Sequence, residues 1–147
     1  MTRLHSILAI ALFLPALAAA EDLCTWMNAA TAGGYLDGKV HFTVTPTSCE
    51  FVTASDGHES ALRIEVQPVT APHAQCSPSA TPLKAIGNEA VACTYEGKSG
   101  WIAEQVIGRV RDQAFLVRIS TNDRGAPPPI LRDKVRRAAE QVAGILF

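Results

Sequence analysis

The chain lacks most of the patterns by which a short protein announces its chemistry. It has no C-x-x-C pair, no G-x-S-x-G elbow and no H-E-x-x-H. The local signatures of a redox dithiol, an α/β-hydrolase nucleophile and a zinc protease are therefore excluded. Charge of one sign is also missing, with 13 basic residues against 14 acidic ones. A nucleic-acid binder normally shows a basic surplus, so that class is set aside. Beyond the N-terminal segment no apolar run approaches the roughly 20 residues that span a bilayer, and no repeat of fixed period is visible. Gly97-Lys98-Ser99 looks like the tail of a phosphate-binding loop, but Ala92 stands where the first glycine is needed and a strand is expected next, not a helix.

What is present begins with a leader. Residues 1–20 carry one basic residue, Arg3, then an apolar run that ends in Ala18-Ala19-Ala20, an A-x-A cleavage site. Cleavage leaves Glu21 as the new terminus and a single secreted α+β domain over residues 21–147, with a periplasmic or extracellular address. With Arg3 removed, 12 basic residues face 14 acidic ones, a net charge of −2. Glu21-Asp22-Leu23 precedes Cys24 in place of the small residues that a lipid-attachment site requires, so no membrane anchor is expected after signal removal.

The four cysteines, Cys24, Cys49, Cys76 and Cys93, form an even set in an oxidising compartment and read as two disulfides. Of the three connectivities, Cys24–Cys49 with Cys76–Cys93 is favoured because sequential pairing closes local loops. No histidine stands at ligand spacing from a cysteine, so neither a metal nor a cofactor is expected.

Asn28 can cap a short helix over residues 29–36, with Gly38 as its terminator after Asp37. Val40, Phe42 and Val44 alternate with polar residues, and Pro46-Thr47 turns the chain into a second short strand from Cys49. Asp56-Gly57 marks the next turn. Residues 61–67 give the cleanest period-2 pattern, with Leu62, Ile64 and Val66 on one face. Residues 68–82 are rich in Pro, Ser, Ala and Thr and read as a long surface loop. A strand through Val91, Cys93 and Tyr95 follows. Residues 101–111 and 113–121 then form the longest hairpin, reversing at Asp112-Gln113.

Pro127-Pro128-Pro129 leads into a helix whose Leu131, Val135, Ala138, Val142 and Ile145 recur at helical spacing. Asp133 with Arg137, and Arg136 with Glu140, stand four apart on its solvated face. The expected fold is α+β: a mostly antiparallel sheet of about six strands, packed by this C-terminal amphipathic helix, with a short N-terminal helix.

In the long hairpin the expected pairing sets Val110 opposite Phe115, Gly108 opposite Val117 and Val106 opposite Ile119, under Leu131, Val135 and Val142. Trp101, Gln105, Ile107, Arg109, Leu116 and Arg118 then lie on the face away from the helix, where Arg63 and Glu65 join if their strand is adjacent. Arginine and tryptophan are favoured at recognition sites. Trp101, Arg109, Arg118, Leu116 and Arg63 are therefore the candidate binding residues.

No catalytic residue is assigned. The histidines His41, His58 and His73 sit in a strand, a turn and the Pro-rich loop with no shared spacing. Asp56, His58 and Glu59 share one loop that a solvated turn explains as well as a weak metal site does.

Three motifs carry a resemblance: Cys24-Thr25-Trp26-Met27-Asn28, Gly87-Asn88-Glu89-Ala90 and the hairpin from Gly108-Arg109-Val110-Arg111 to Phe115. With them the chain resembles the small cell-envelope lipoprotein domains of unknown function common in actinobacteria. More distantly it resembles the extracellular sensor domain of mycobacterial membrane serine/threonine kinases. The resemblance implies a non-enzymatic envelope domain and supplies no catalytic residues. The expected function is a non-catalytic extracytoplasmic binding or sensing domain whose partner is a protein, peptide or glycan of the cell envelope. The alternatives are a small secreted hydrolase using His58 or His73 with an acidic neighbour, or an accessory subunit of an envelope complex. The first alternative needs a convergent nucleophile, base and orienter.

Overall fold

The computed structural model describes residues 23–147 apart from 73 and 78; the leader, the cleavage point at Glu21 and His73 lie outside the described residues. The elements run α1 (Ala29–Leu36), β1 (His41–Thr45), β2 (Ser48–Ser55), β3 (His58–Pro68), β4 (Thr81–Leu83), β5 (Glu89–Thr94), β6 (Ile102–Val110), β7 (Gln113–Thr121) and α2 (Pro128–Leu146). All strand pairs are antiparallel, in the order β1-β2-β3-β7-β6-β5-β4. The sheet thus has seven strands and not six. The additional strand is β4, three residues at the end of the Pro-rich stretch. It is too short for alternation to reveal it, and its Pro82 is tolerated because β4 is an edge.

Alternation sorts each strand into two faces. Leu62, Ile64 and Val66 of β3, Phe115, Val117 and Ile119 of β7, and Val106 and Val110 of β6 are buried in one core. α1 packs on β2 and β3 of this face, and α2 on β6 and β7. Asn28 Oδ1 accepts the Thr31 amide at 2.8 Å and starts α1. The left-handed terminator of α1 is Asp37 (φ 57°) and not Gly38. The Asp37 carboxylate forms an ion pair with Lys134, which ties the end of α1 to α2.

In α2 the expected ion pairs are present, Arg137–Asp133 at 2.7 Å and Arg136–Glu140 at 3.1 Å. The buried stripe comprises Leu131, Val135, Ala138, Ala139, Val142 and Ala143. Ile145 is 49 % exposed, contrary to expectation. At 100° per residue it falls on one side of Val142, while the sheet lies on the side of Ala139 and Ala143.

The hairpin register also differs from expectation. Val110 pairs with Gln113, Gly108 with Phe115 and Val106 with Val117, so Arg111-Asp112 is the two-residue turn. The pairing is offset by two residues. Because the side-chain period is two, every residue keeps its expected face.

Both disulfides join the expected partners, Cys24–Cys49 and Cys76–Cys93, and no described cysteine is free. They fit an oxidising environment. No helix of the described residues is long and apolar enough to cross a membrane.

Ala85 lies in the bend before the buried Ile86 and holds φ 64°. A left-handed residue with a Cβ is strained by about 1 kcal/mol relative to glycine. Ala85→Gly is therefore expected to raise stability by about 0.5–1 kcal/mol, partly offset by the freer unfolded chain. Urea denaturation with both disulfides intact measures it, and a lower midpoint refutes the strain.

Candidate functional site

The sheet face opposite the helices is covered over only part of its area. Beyond β3 the Pro-rich segment crosses it, held by the Val69 amide on the Asp112 carbonyl (2.9 Å), Gln67 Nε2 on the Pro72 carbonyl (2.8 Å) and the Cys76–Cys93 disulfide. Leu116 is consequently only 4 % exposed and Gln105 3 %. The uncovered end of the face, over β2, β3, β7 and the start of β6, forms an open cleft of about 400 Å³.

One wall of the cleft is the connection between β5 and β6. Tyr95 continues the β5 pairing through its amide to the Ala103 carbonyl (2.9 Å), and the Trp101 amide closes a turn on the Lys98 carbonyl (3.0 Å). This turn brings the Lys98 ammonium over the Trp101 ring, 5.4 Å from its centroid. Gly97 lies so close to Tyr95 that a Cβ there would stand 2.5 Å from the ring. The glycine thus seats the ring, whose contact with Arg118 follows from the register.

Arg118 on β7 faces Gln105 on β6 and Arg63 on β3 directly across the sheet. Like charges so placed repel, and each arginine turns to a different neighbour. Arg63 takes Glu65 at 2.6 Å and Glu50 at 3.8 Å. Arg118 stacks its guanidinium carbon 3.5 Å from the Tyr95 centroid and donates Nε (3.0 Å) and Nη2 (2.8 Å) to Gln105 Oε1. The Gln105 amide is fixed in turn by Nε2 donating to Cys93 Sγ at 3.3 Å. Burial lowers the Arg118 pKa from the usual arginine value; Tyr95 and the nearby glutamates oppose that shift, and Arg63 adds to it. An arginine nevertheless stays charged at neutral pH. The result is a partly buried cation held flat on an aromatic ring by neutral partners.

No protein-family model matches this chain, and no curated protein matches it in sequence.

Of the five candidate residues, the structure brings Trp101, Arg118 and Arg63 to one cleft. Leu116 lies under the Pro-rich segment, out of reach. Arg109 is at the far end of the face, paired with Glu89 at 3.2 Å, in a separate shallow depression with Val69 and Ile107. Tyr95 and Lys98 were not among the candidates. Two aromatics bracketing the glycine-containing run 96–100 were the available signal, but the stacking on Arg118 depends on strand order. Among the described residues no three His, Cys, Asp or Glu side chains gather closely enough for a metal ion. His58 is exposed at the β2–β3 turn.

A second cleft of about 470 Å³ adjoins the first past Tyr95 and is more polar. Its base is Glu104, on the core face of β6 and 2 % exposed. Glu104 is bound by Arg132 Nη2 of α2 at 3.0 Å and by the Thr94 hydroxyl at 3.1 Å. The hydrogen bond from Arg132 is the largest cause of that arginine's raised pKa. Arg132 Nε reaches the second Glu104 oxygen at 3.4 Å, so both oxygens have a partner and Glu104 serves as a tie between sheet and helix.

Proposed function

We propose that this chain is an exported, non-catalytic binding domain of the cell envelope, and that its ligand seats in the open cleft over β2, β3, β7 and β6. The observation that carries the reading is the Arg118 guanidinium, clamped between Tyr95 and Gln105 beside Trp101. A rigid aromatic and an oriented guanidinium are the groups that dominate recognition energetics, and the cleft volume falls in the range of small-ligand sites. Periplasmic or secreted placement is supported by the leader and by two disulfides. An exported role in recognition also accords with the resemblance of the motifs to envelope lipoprotein domains.

The test is a fragment screen of short peptides and sugars on the mature, oxidised, isotope-labelled protein, read by backbone amide shifts. Ligands are expected to perturb the amides of residues 95–103 together with Arg118, and Gly97→Ala, which unseats Tyr95, is expected to weaken them at least about fivefold. Shifts confined to the Glu104–Arg132 cleft or to the β1 edge would remove this site.

A further inference from the structure

We propose that the cleft selects ligands bearing a single carboxylate next to an apolar or aromatic body, with the carboxylate held on the free edge of Arg118. This inference rests on the binding role proposed above and names its ligand class.

The arginines of the outer sheet face and of α2 differ in what neutralises them, while Arg111 and Arg124 stand exposed in turns. Arg63 has Glu65 and Glu50, Arg109 has Glu89, Arg132 has Glu104, and Arg136 and Arg137 have Asp133 or Glu140. Among the described residues no carboxylate lies within ion-pair distance of Arg118. Among the described residues its only acceptor is the neutral Gln105 oxygen. A partly desolvated cation with no carboxylate in direct contact bears a cost, which stacking on Tyr95 and the more distant Glu65 and Glu50 offset only in part.

The orientation specifies what is missing. Nε and Nη2 converge on one oxygen, so the Nε side of the guanidinium is filled. The terminal edge, made by Nη1 and the second Nη2 hydrogen, has no acceptor among the described residues. That edge is a planar fork matched to the two oxygens of a carboxylate. It is also preorganised, because Tyr95 fixes the guanidinium plane, Gln105 its rotation, and Cys93 Sγ the end that Gln105 presents.

The surroundings set the rest of the ligand. Trp101, Val52, Ala61 and Ala103 line the cleft beside the fork and suit an apolar or aromatic body. Glu50 and Glu59 stand on the rim, and Arg63 is already engaged by two glutamates. A second negative charge would meet these carboxylates with only Lys98 to balance it, so a monoanion is favoured over a phosphate dianion. A small aromatic acid and the C-terminal residue of a peptide share this chemistry.

The experiment compares four probes on the oxidised mature protein by amide shifts and calorimetry: N-acetyl-L-phenylalanine, its neutral amide, phenylacetate and inorganic phosphate. The acid is expected to bind at least about tenfold more tightly than its amide, the advantage of one charge-assisted bidentate pair, and phosphate is expected not to compete. N-acetyl-L-phenylalanine binding above phenylacetate indicates a peptide terminus, and the reverse order a small acid. Arg118→Gln should abolish the preference for acid over amide, and Arg118→Lys should retain only part of it. Equal affinity of acid and amide for the unmodified protein overturns the inference even where Arg118→Gln fails to fold. Effective competition by phosphate also overturns it, as does binding of none of the probes. Equal binding of acid and amide with shifts still at residues 95–103 leaves the binding role standing, so the two failures are distinguishable.

Discussion

Phe115→Ala is expected to lower the unfolding free energy by about 3–5 kcal/mol, the range for truncating a large core aromatic. The ring is 2 % exposed and lies directly across the hairpin from Gly108. A Cβ on Gly108 would stand 2.5 Å from the Phe115 ring and 2.8 Å from the Glu89 carbonyl oxygen. The aromatic thus covers backbone that a strand glycine leaves bare, and that the absence of a Cβ makes reachable. Two further variants separate this contact from simple loss of volume. Gly108→Ala is expected to be destabilising alone by about 2 kcal/mol, as for overpacking. In the Phe115→Ala background part of that cost should vanish, because only the clash with the Glu89 carbonyl remains. Equilibrium denaturation of the four-member cycle measures the coupling. Strict additivity would show that the ring does not rest on Gly108.

Arg132→Ala is expected to cost about 2–3 kcal/mol, more than the surface position of Arg132 suggests. Its partner Glu104 is 2 % exposed and would keep only the Thr94 hydroxyl. Removing one member of a buried ion pair strands the other charge, at about 3–5 kcal/mol when both are enclosed. The Arg132 side chain is 56 % exposed, so water can enter its place and the loss is smaller. Adding Glu104→Gln to Arg132→Ala should recover most of the stability, since the amide keeps an acceptor for Thr94 and carries no charge. Denaturant midpoints of the two variants and the unmodified protein decide it. A double variant no more stable than Arg132→Ala would mean that packing, and not the stranded carboxylate, is what Arg132 supplies.

The local elements and their faces are legible in the amino-acid order. Asn28 and the proline run mark where the two helices begin, and local-loop closure indicated the disulfide pairing. Alternation in residues 61–67 and the hairpin pairing of residues 113–121 put the right side chains on the core face, even though the hairpin register was two residues off, because an even offset preserves every face. Trp101 and Arg118 fall on the opposite face for the same reason, and Arg63 joins them only because its strand lies against β7. Which of these residues meet depends on contacts between distant strands. Strand β3 lies against β7 across 45 to 61 residues of sequence, and nothing local encodes that pairing. It sets Arg63 opposite Arg118, while the β6 register gives Arg118 its Gln105 clamp. The Pro-rich segment read as a surface loop, yet its path over the sheet buries Leu116 and so confines the open cleft to one end. Glu104 escaped attention because a charged residue at a core position breaks the alternation on which strand reading depends. It is tolerated there because Arg132 arrives from a helix 28 residues away. Period and capping are short-range and survive in the sequence, whereas strand order, coverage and charge pairing are contacts between distant segments and exist only once the sheet has closed.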